Sequence, residues 1–220
     1  MTKKELAGFI DHTLLKPTAT KEDIKALCEE AKTYSFASVC VNPCNVALAY
    51  NFMKESNIKV CSVVGFPFGA NSIEIKFTET KKALEDGAAE IDMVINVGKL
   101  LEGDVNYVKN EISFLADACH KKNAILKVIV ETCYLEEKDF EIVCNAVEEA
   151  GADFIKTSTG YGSRGASKDD IHLFKKYLKA NTKIKASGGI RSFEDAKAYI
   201  DLGCSRLGTS RGITLLKECE

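Results

Sequence analysis

The sequence predicts an α/β fold: a single (β/α)8 TIM barrel with an N-terminal helical extension, in one domain over residues 1–220. Three observations carry this. Eight short, apolar, β-rich runs alternate with segments of helical periodicity. No Pro/Ser-rich linker or low-complexity run divides the 220 residues, a length that suits one barrel. A weak repeat recurs at three helix ends: DGAAEIDMV, AGADFIKTS and LGCSRLGTS.

The elements follow in order. Strands are expected at Ile10–Thr13, Ala37–Asn42, Lys59–Gly65, Glu90–Asn96, Ile125–Glu131, Phe154–Thr157, Lys183–Ser187 and Arg206–Gly208. The first expected helix is Lys21–Thr33, where Ile24, Leu27, Cys28 and Ala31 form an apolar stripe. Helical patterns then cover Ser72–Asp86, Asp104–Lys121, Glu136–Ala150, Lys168–Lys179 and Ser192–Asp201. The last opens SFED, a capping-box pattern with Asp in place of Glu. Pro17, Pro43 and Pro67 each fall just after a strand, where a missing N–H removes no ladder bond.

Composition excludes several functions. The formal net charge of −2 offers no basic field for nucleic acid. No apolar run approaches the ~18 residues of a membrane span, and MTKKELAGFIDHT has no secretory apolar core. The nine cysteines are odd in number and scattered, and Cys40 and Cys44 lack the matching second pair of a zinc site. They read as reduced thiols of a cytoplasmic protein. His12, in DHT, is the one histidine near a strand end.

The repeat places side chains. Gly87, Gly151 and Gly203 fit the position just past a helix C-terminus. Five residues onward stand Asp92, Lys156 and Gly208. If the units superpose, these three share pleat parity and point into the barrel. Lys185 lies on the strand next to that of Lys156.

Most strand lysines pair with acids or reach solvent. Lys127 fits that reading, with Glu131 at the same parity as its partner, and Lys183 fits exposure at the barrel bottom. Lys156 and Lys185 differ, because both sit at strand C-terminal ends, where barrel enzymes place their chemistry. Two buried, adjacent ammonium groups disfavour each other's charge, so at least one pKa should fall toward neutrality. A neutral amine attacks carbonyls and forms a Schiff base, and a carboxylate such as Asp92 can move the protons. That chemistry requires no metal and no cofactor. Gly188 and Gly189 follow the seventh strand, and Gly208, Ser210 and Arg211 the eighth, where many barrels bind phosphate. Backbone N–H groups, the Ser210 hydroxyl and the Arg211 guanidinium suit that anion. Glycine also serves ordinary tight turns, but the pairing of two such loops in these positions favours phosphate.

Eight motifs in order, IDHTLLKP, VCVNP, VVGFPFG, EIDMVINVG, LKVIVET, FIKTSTG, KASGGIR and RLGTSRG, resemble the deoxyribose-phosphate aldolase family nearly end to end. The resemblance implies a metal-free class I aldolase. Such an enzyme cleaves 2-deoxy-D-ribose 5-phosphate reversibly to glyceraldehyde 3-phosphate and acetaldehyde, often as a homodimer. It implies Lys156 as the Schiff-base former, Lys185 as the lysine that lowers its pKa, and Asp92 as the proton relay. It implies Gly160, Gly188, Gly189, Gly208 and Ser210 as substrate and phosphate contacts, with Asp11 and Cys40 near the site. Some members carry a lysine where this chain has Tyr161, and many a small residue where it has Arg211. Another Schiff-base barrel aldolase, a transaldolase-like enzyme or a non-enzymatic sugar-phosphate sensor are the alternatives.

Overall fold

The computed structural model describes residues 1–179 and 182–219. Eight parallel strands close into a barrel in sequence order. They are β1 Ile10–Leu14, β2 Ser38–Val41, β3 Lys59–Val64, β4 Glu90–Val94, β5 Ile125–Ile129, β6 Phe154–Lys156, β7 Lys183–Ser187 and β8 Arg206–Thr209. All eight expected strands are present, several ending one or two residues earlier than their apolar runs. β2 stops at Val41 because Pro43 opens a 3₁₀ turn one residue beyond Asn42.

Around the barrel run α1 Lys3–Ala7, α2 Lys21–Tyr34, α3 Val46–Met53, α4 Ile73–Glu85, α5 Val97–Leu101, α6 Val105–His120, α7 Glu137–Glu149, α8 Lys168–Tyr177, α9 Phe193–Asp201 and α10 Gly212–Glu218. The predicted N-terminal extension is α1. Three further helices lie outside the expected patterns: α3, α5 and α10. VALAYNFM in α3 carries too few polar residues to display a face, and five-residue α5 is too short for a period.

The helix stripes do what their spacing implies. Ile24, Leu27, Cys28 and Ala31 of α2 are all buried, and a buried Ile or Leu contributes about 1.5–3 kcal/mol. Ser192 and Asp195 complete the capping box of α9 from both sides. Gly87, Gly151 and Gly203 have φ of 104°, 79° and 102°, the left-handed conformation that ends a helix. Each releases the chain into the next strand at the same offset, which carries the parity of β4, β6 and β8 into the barrel. Among the described residues no helix is long and apolar enough to cross a membrane.

Candidate active site

The barrel closure brings three lysines to one carboxylate. Lys156 donates to Asp92 Oδ2 at 2.6 Å, Lys185 to the same oxygen at 2.8 Å, and Lys127 to Asp92 Oδ1 at 2.9 Å. The register explains the meeting. Asp92 faces Lys127 across β4 and β5, and Lys156 faces Lys185 across β6 and β7. Gly208 stands where sequence parity put it. A Cβ there would lie 2.9 Å from the Ser187 Cβ and 3.2 Å from the Lys185 Cε, so glycine makes room for that lysine.

The cluster extends beyond the predicted residues. Asp11 accepts from Lys185, from Ser38 Oγ at 2.7 Å and from Arg206 Nη1 at 2.5 Å. Glu90 takes Lys127 at 2.6 Å and both terminal nitrogens of Arg206 at 2.9 and 3.1 Å. Lys127, Lys156, Lys185 and Arg206 thus meet Asp11, Glu90 and Asp92, four cationic groups against three carboxylates among the described residues.

This corrects one expectation. Lys127 does not pair with Glu131; it turns inward to Glu90 and Asp92. Of the two neighbouring lysines, Lys185 is not pushed toward neutrality. Burial pushes that amine down, but Asp11 and Asp92 outweigh burial and raise it above its ordinary value. Asp92 reports the same balance from the acid side. Burial pushes it up, yet Lys127, Lys156 and Lys185 hold it well below the usual carboxylate range. Asp11 is held low against burial by Lys185, Lys127 and Arg206.

Lys156 differs from the other three cations. It touches one carboxylate, already shared with two other ammonium groups, and it lines the open cavity above the cluster. Once neutral, its amine can meet a carbonyl. Lys185 is fully buried beneath it.

That cavity holds about 330 Å³. Gly160, Gly188, Gly189, Gly208, Ser210 and Arg211, all expected at the site, line it. Sequence reasoning passed over Thr159, Lys16 and Arg191, which line it too. The signal was available: each follows a strand C-terminal end, and Arg191 closes the KASGGIR motif. The loops after β6 and β7 are interlocked, since a Cβ on Gly165 would lie 2.2 Å from the Gly188 carbonyl oxygen. Tyr161 bridges the mouth, donating from its hydroxyl to the Leu15 carbonyl at 3.0 Å and meeting Phe66 edge-on at 5.5 Å.

Cys40 and Cys61 face each other across β2 and β3. With Asp92 they gather three potential ligand atoms within 4.8 Å, the one such group among the described residues. The three ammonium groups on the two Asp92 oxygens leave that carboxylate poorly placed to hold a cation. Cys61 Sγ instead donates to Asp92 Oδ1 at 3.2 Å. Cys44, the other half of the weak spacing signal, is exposed. His12 points away from the cavity: its Nε2 lies 2.6 Å from Glu30, and its ring packs 4.8 Å from that of Phe36. Lys183 is exposed, as expected.

Comparison with known proteins assigns this geometry. The profile described as DeoC/LacD family aldolase matches residues 6–214. This chain belongs to that family. A deoxyribose-phosphate aldolase of Treponema denticola is 67% identical over 212 residues, covering 96% of this chain and 98% of that one. The deoxyribose-phosphate aldolase of Thermococcus kodakarensis is 50% identical over 219 residues, covering 99% and 98%. The crystallised deoxyribose phosphate aldolase of Aeropyrum pernix, a tetramer, superposes with a TM-score of 0.92 at 34% identity, covering 98% of this chain and 91% of that one. The family is one of class I, Schiff-base aldolases, so this aldolase works through an amine, and a lysine amine borders its cavity.

Proposed function

We propose that this aldolase, as one barrel domain over residues 1–220, cleaves 2-deoxy-D-ribose 5-phosphate reversibly to D-glyceraldehyde 3-phosphate and acetaldehyde. The observation that carries the reading is Lys156. It is a cavity-lining amine 2.6 Å from a carboxylate held ionised by two further lysines.

In this reading the Lys156 amine adds to the C1 aldehyde of the open-chain sugar, and loss of water gives an iminium. The C3 hydroxyl then gives up its proton. The C2–C3 bond breaks, its electron pair moves to the iminium as an enamine, and glyceraldehyde 3-phosphate leaves. Protonation at C2 and hydrolysis release acetaldehyde and restore the amine. Asp92 and Lys185 hold and return protons beside Lys156. The phosphate lies toward Gly188, Gly189 and Ser210, with Arg211, Lys16 and Arg191 supplying positive charge at the rim. We place the enzyme in the cytoplasm and expect a homodimer, which light scattering on the purified 24.1 kDa chain will resolve.

The test is reductive trapping. Borohydride with acetaldehyde should leave a two-carbon adduct on Lys156, located by peptide mass mapping. An adduct on Lys185 alone would overturn the assignment of the nucleophile. Trapping with pyruvate but not acetaldehyde would move the enzyme to another class of aldolase.

A further inference from the structure

Glu131 sits just past the end of β5 in a conformation that glutamate avoids, φ 51° and ψ 66°. A left-handed backbone at a residue other than Gly or Asn costs of order 1 kcal/mol and persists where something else demands it. The residue is 3% exposed, so the carboxylate is buried as well. No lysine, arginine or histidine lies within ion-pair distance of it among the described residues. Its partners are neutral. The Thr159 backbone N–H donates to both oxygens, at 3.3 and 3.2 Å, and the Thr159 hydroxyl donates to Oε2. The Cys133 thiol approaches Oε1 at 3.9 Å. Backbone strain and an unpaired buried carboxylate at one residue are two costs at the same place, and both serve one contact.

That contact is the root of the loop over Lys156. Thr159 and Gly160 line the reaction cavity. The Thr159 hydroxyl accepts from the Tyr161 N–H at 3.0 Å, which passes the constraint to the residue bridging the mouth. Gly162 lies directly on the carboxylate, since a Cβ there would come within 3.3 Å of Glu131 Cδ and 2.6 Å of Cys133 Sγ. The next residue in the chain, Thr132, holds the far end of the same loop. Its carbonyl accepts from Arg164 Nη2 at 3.1 Å, and Arg164 is itself paired with Asp170 through two bonds of 2.6 and 2.9 Å. The chain turn after β5 therefore grips the β6 loop at both ends, with Glu131 on the half that faces substrate.

We infer that Glu131 is a positioning residue for substrate binding: its buried carboxylate fixes Thr159, and through it Gly160 and Tyr161, over the imine-forming lysine. The inference rests on the aldolase reading above. It assigns no proton transfer to Glu131, which touches neither Lys156 nor Asp92.

The experiment pairs Glu131→Gly with Glu131→Gln. Glycine adopts the left-handed backbone without strain, so the first variant removes the clamp while easing the fold. Glutamine keeps the backbone cost and an acceptor oxygen for Thr159. Glu131→Gly should keep its circular dichroism spectrum and its rate of borohydride trapping with acetaldehyde, a substrate too small to need the loop. Its KM for 2-deoxy-D-ribose 5-phosphate should rise about tenfold, with kcat less affected. Glu131→Gln should recover the KM to within about twofold of wild type. Three outcomes would overturn the inference. They are an unchanged KM in Glu131→Gly, a parallel loss of trapping and KM, and a glutamine variant no better than glycine. Absence of trapping in a wild type that still cleaves 2-deoxy-D-ribose 5-phosphate would instead indict the Schiff-base reading, and the two KM values would still judge the clamp.

Discussion

Two buried charge clusters in this molecule share chemistry and differ in purpose. In the outer layer, Lys76 of α4 pairs with Glu111 of α6 at 2.5 Å, both side chains fully buried. Lys76 also donates to the Val94 carbonyl at 2.8 Å, and Glu111 accepts from the Asn96 N–H at 2.6 Å. One cation meets one anion, and the pair ties two helices to the end of β4. Burial dominates both partners: it pushes Lys76 down and Glu111 up, against their mutual attraction. In the barrel centre the same burial is overruled. Asp11 and Asp92 fall and Lys127 and Lys185 rise, because each faces more than one opposite charge. Burying a lysine is therefore no mark of function in this chain. What marks the central cluster is a cation in excess and a cavity above it.

The largest effect should come from upsetting that excess. Lys185→Leu leaves three cations against three carboxylates. A balanced cluster keeps its protons to higher pH, so turnover at pH 7 should fall roughly 10²–10⁴-fold and recover in part as pH rises. An unchanged rate–pH profile would erase the distinction drawn between the two clusters.

Lys76→Met should do the reverse. Leaving Glu111 buried without its partner costs roughly 3–5 kcal/mol, a fall of about 10 °C in Tm for a chain of this size. Activity per folded molecule should stay within about twofold, since Lys76 lines no part of the cavity. A large change in kcat for a folded Lys76→Met variant would mean the clusters communicate.

The smallest effect is in acid. Asp11 and Asp92 have folded pKa values below their unfolded ones. The stability they supply is complete above the unfolded carboxyl value of about 3.9 and is lost as pH falls below it toward the folded values. Glu111, raised by burial, has the opposite sign: it favours the folded state more as pH drops. Urea midpoints between pH 6 and pH 3 should therefore fall more steeply in wild type than in Asp11→Asn. Parallel curves would show that the central carboxylates carry no such linkage.

Local rules made much of this protein legible in advance. Strand count, helix stripes and the SFED cap depend on residues close in sequence. The glycines at 87, 151 and 203 fix where each following strand starts, and the two-residue pleat then fixes which residues face inward. That was enough to aim Asp92, Lys156 and Gly208 at one another across as many as 116 positions, the span from Asp92 to Gly208. The glycine-bearing strand ends likewise marked the cavity rim.

Charge state was not legible, because it is set through space. The parity rule admits Lys127 to the interior but cannot say whether Glu131 or Glu90 answers it. The left-handed turn at Glu131 takes that carboxylate out of the barrel and up to Thr159. Two adjacent lysines suggest that one amine is depressed, without saying which, and Lys185 is not that one. Barrel closure then brought Asp11, on the first strand, to Lys185 on the seventh and to Arg206, 195 residues away, on the eighth. The sequence by itself determined which side chains point inward, since pleat and cap are short-range geometry. Only the closed barrel decided which of them are charged, since Coulomb energies depend on distances of a few ångströms between strands whose meeting no local pattern records.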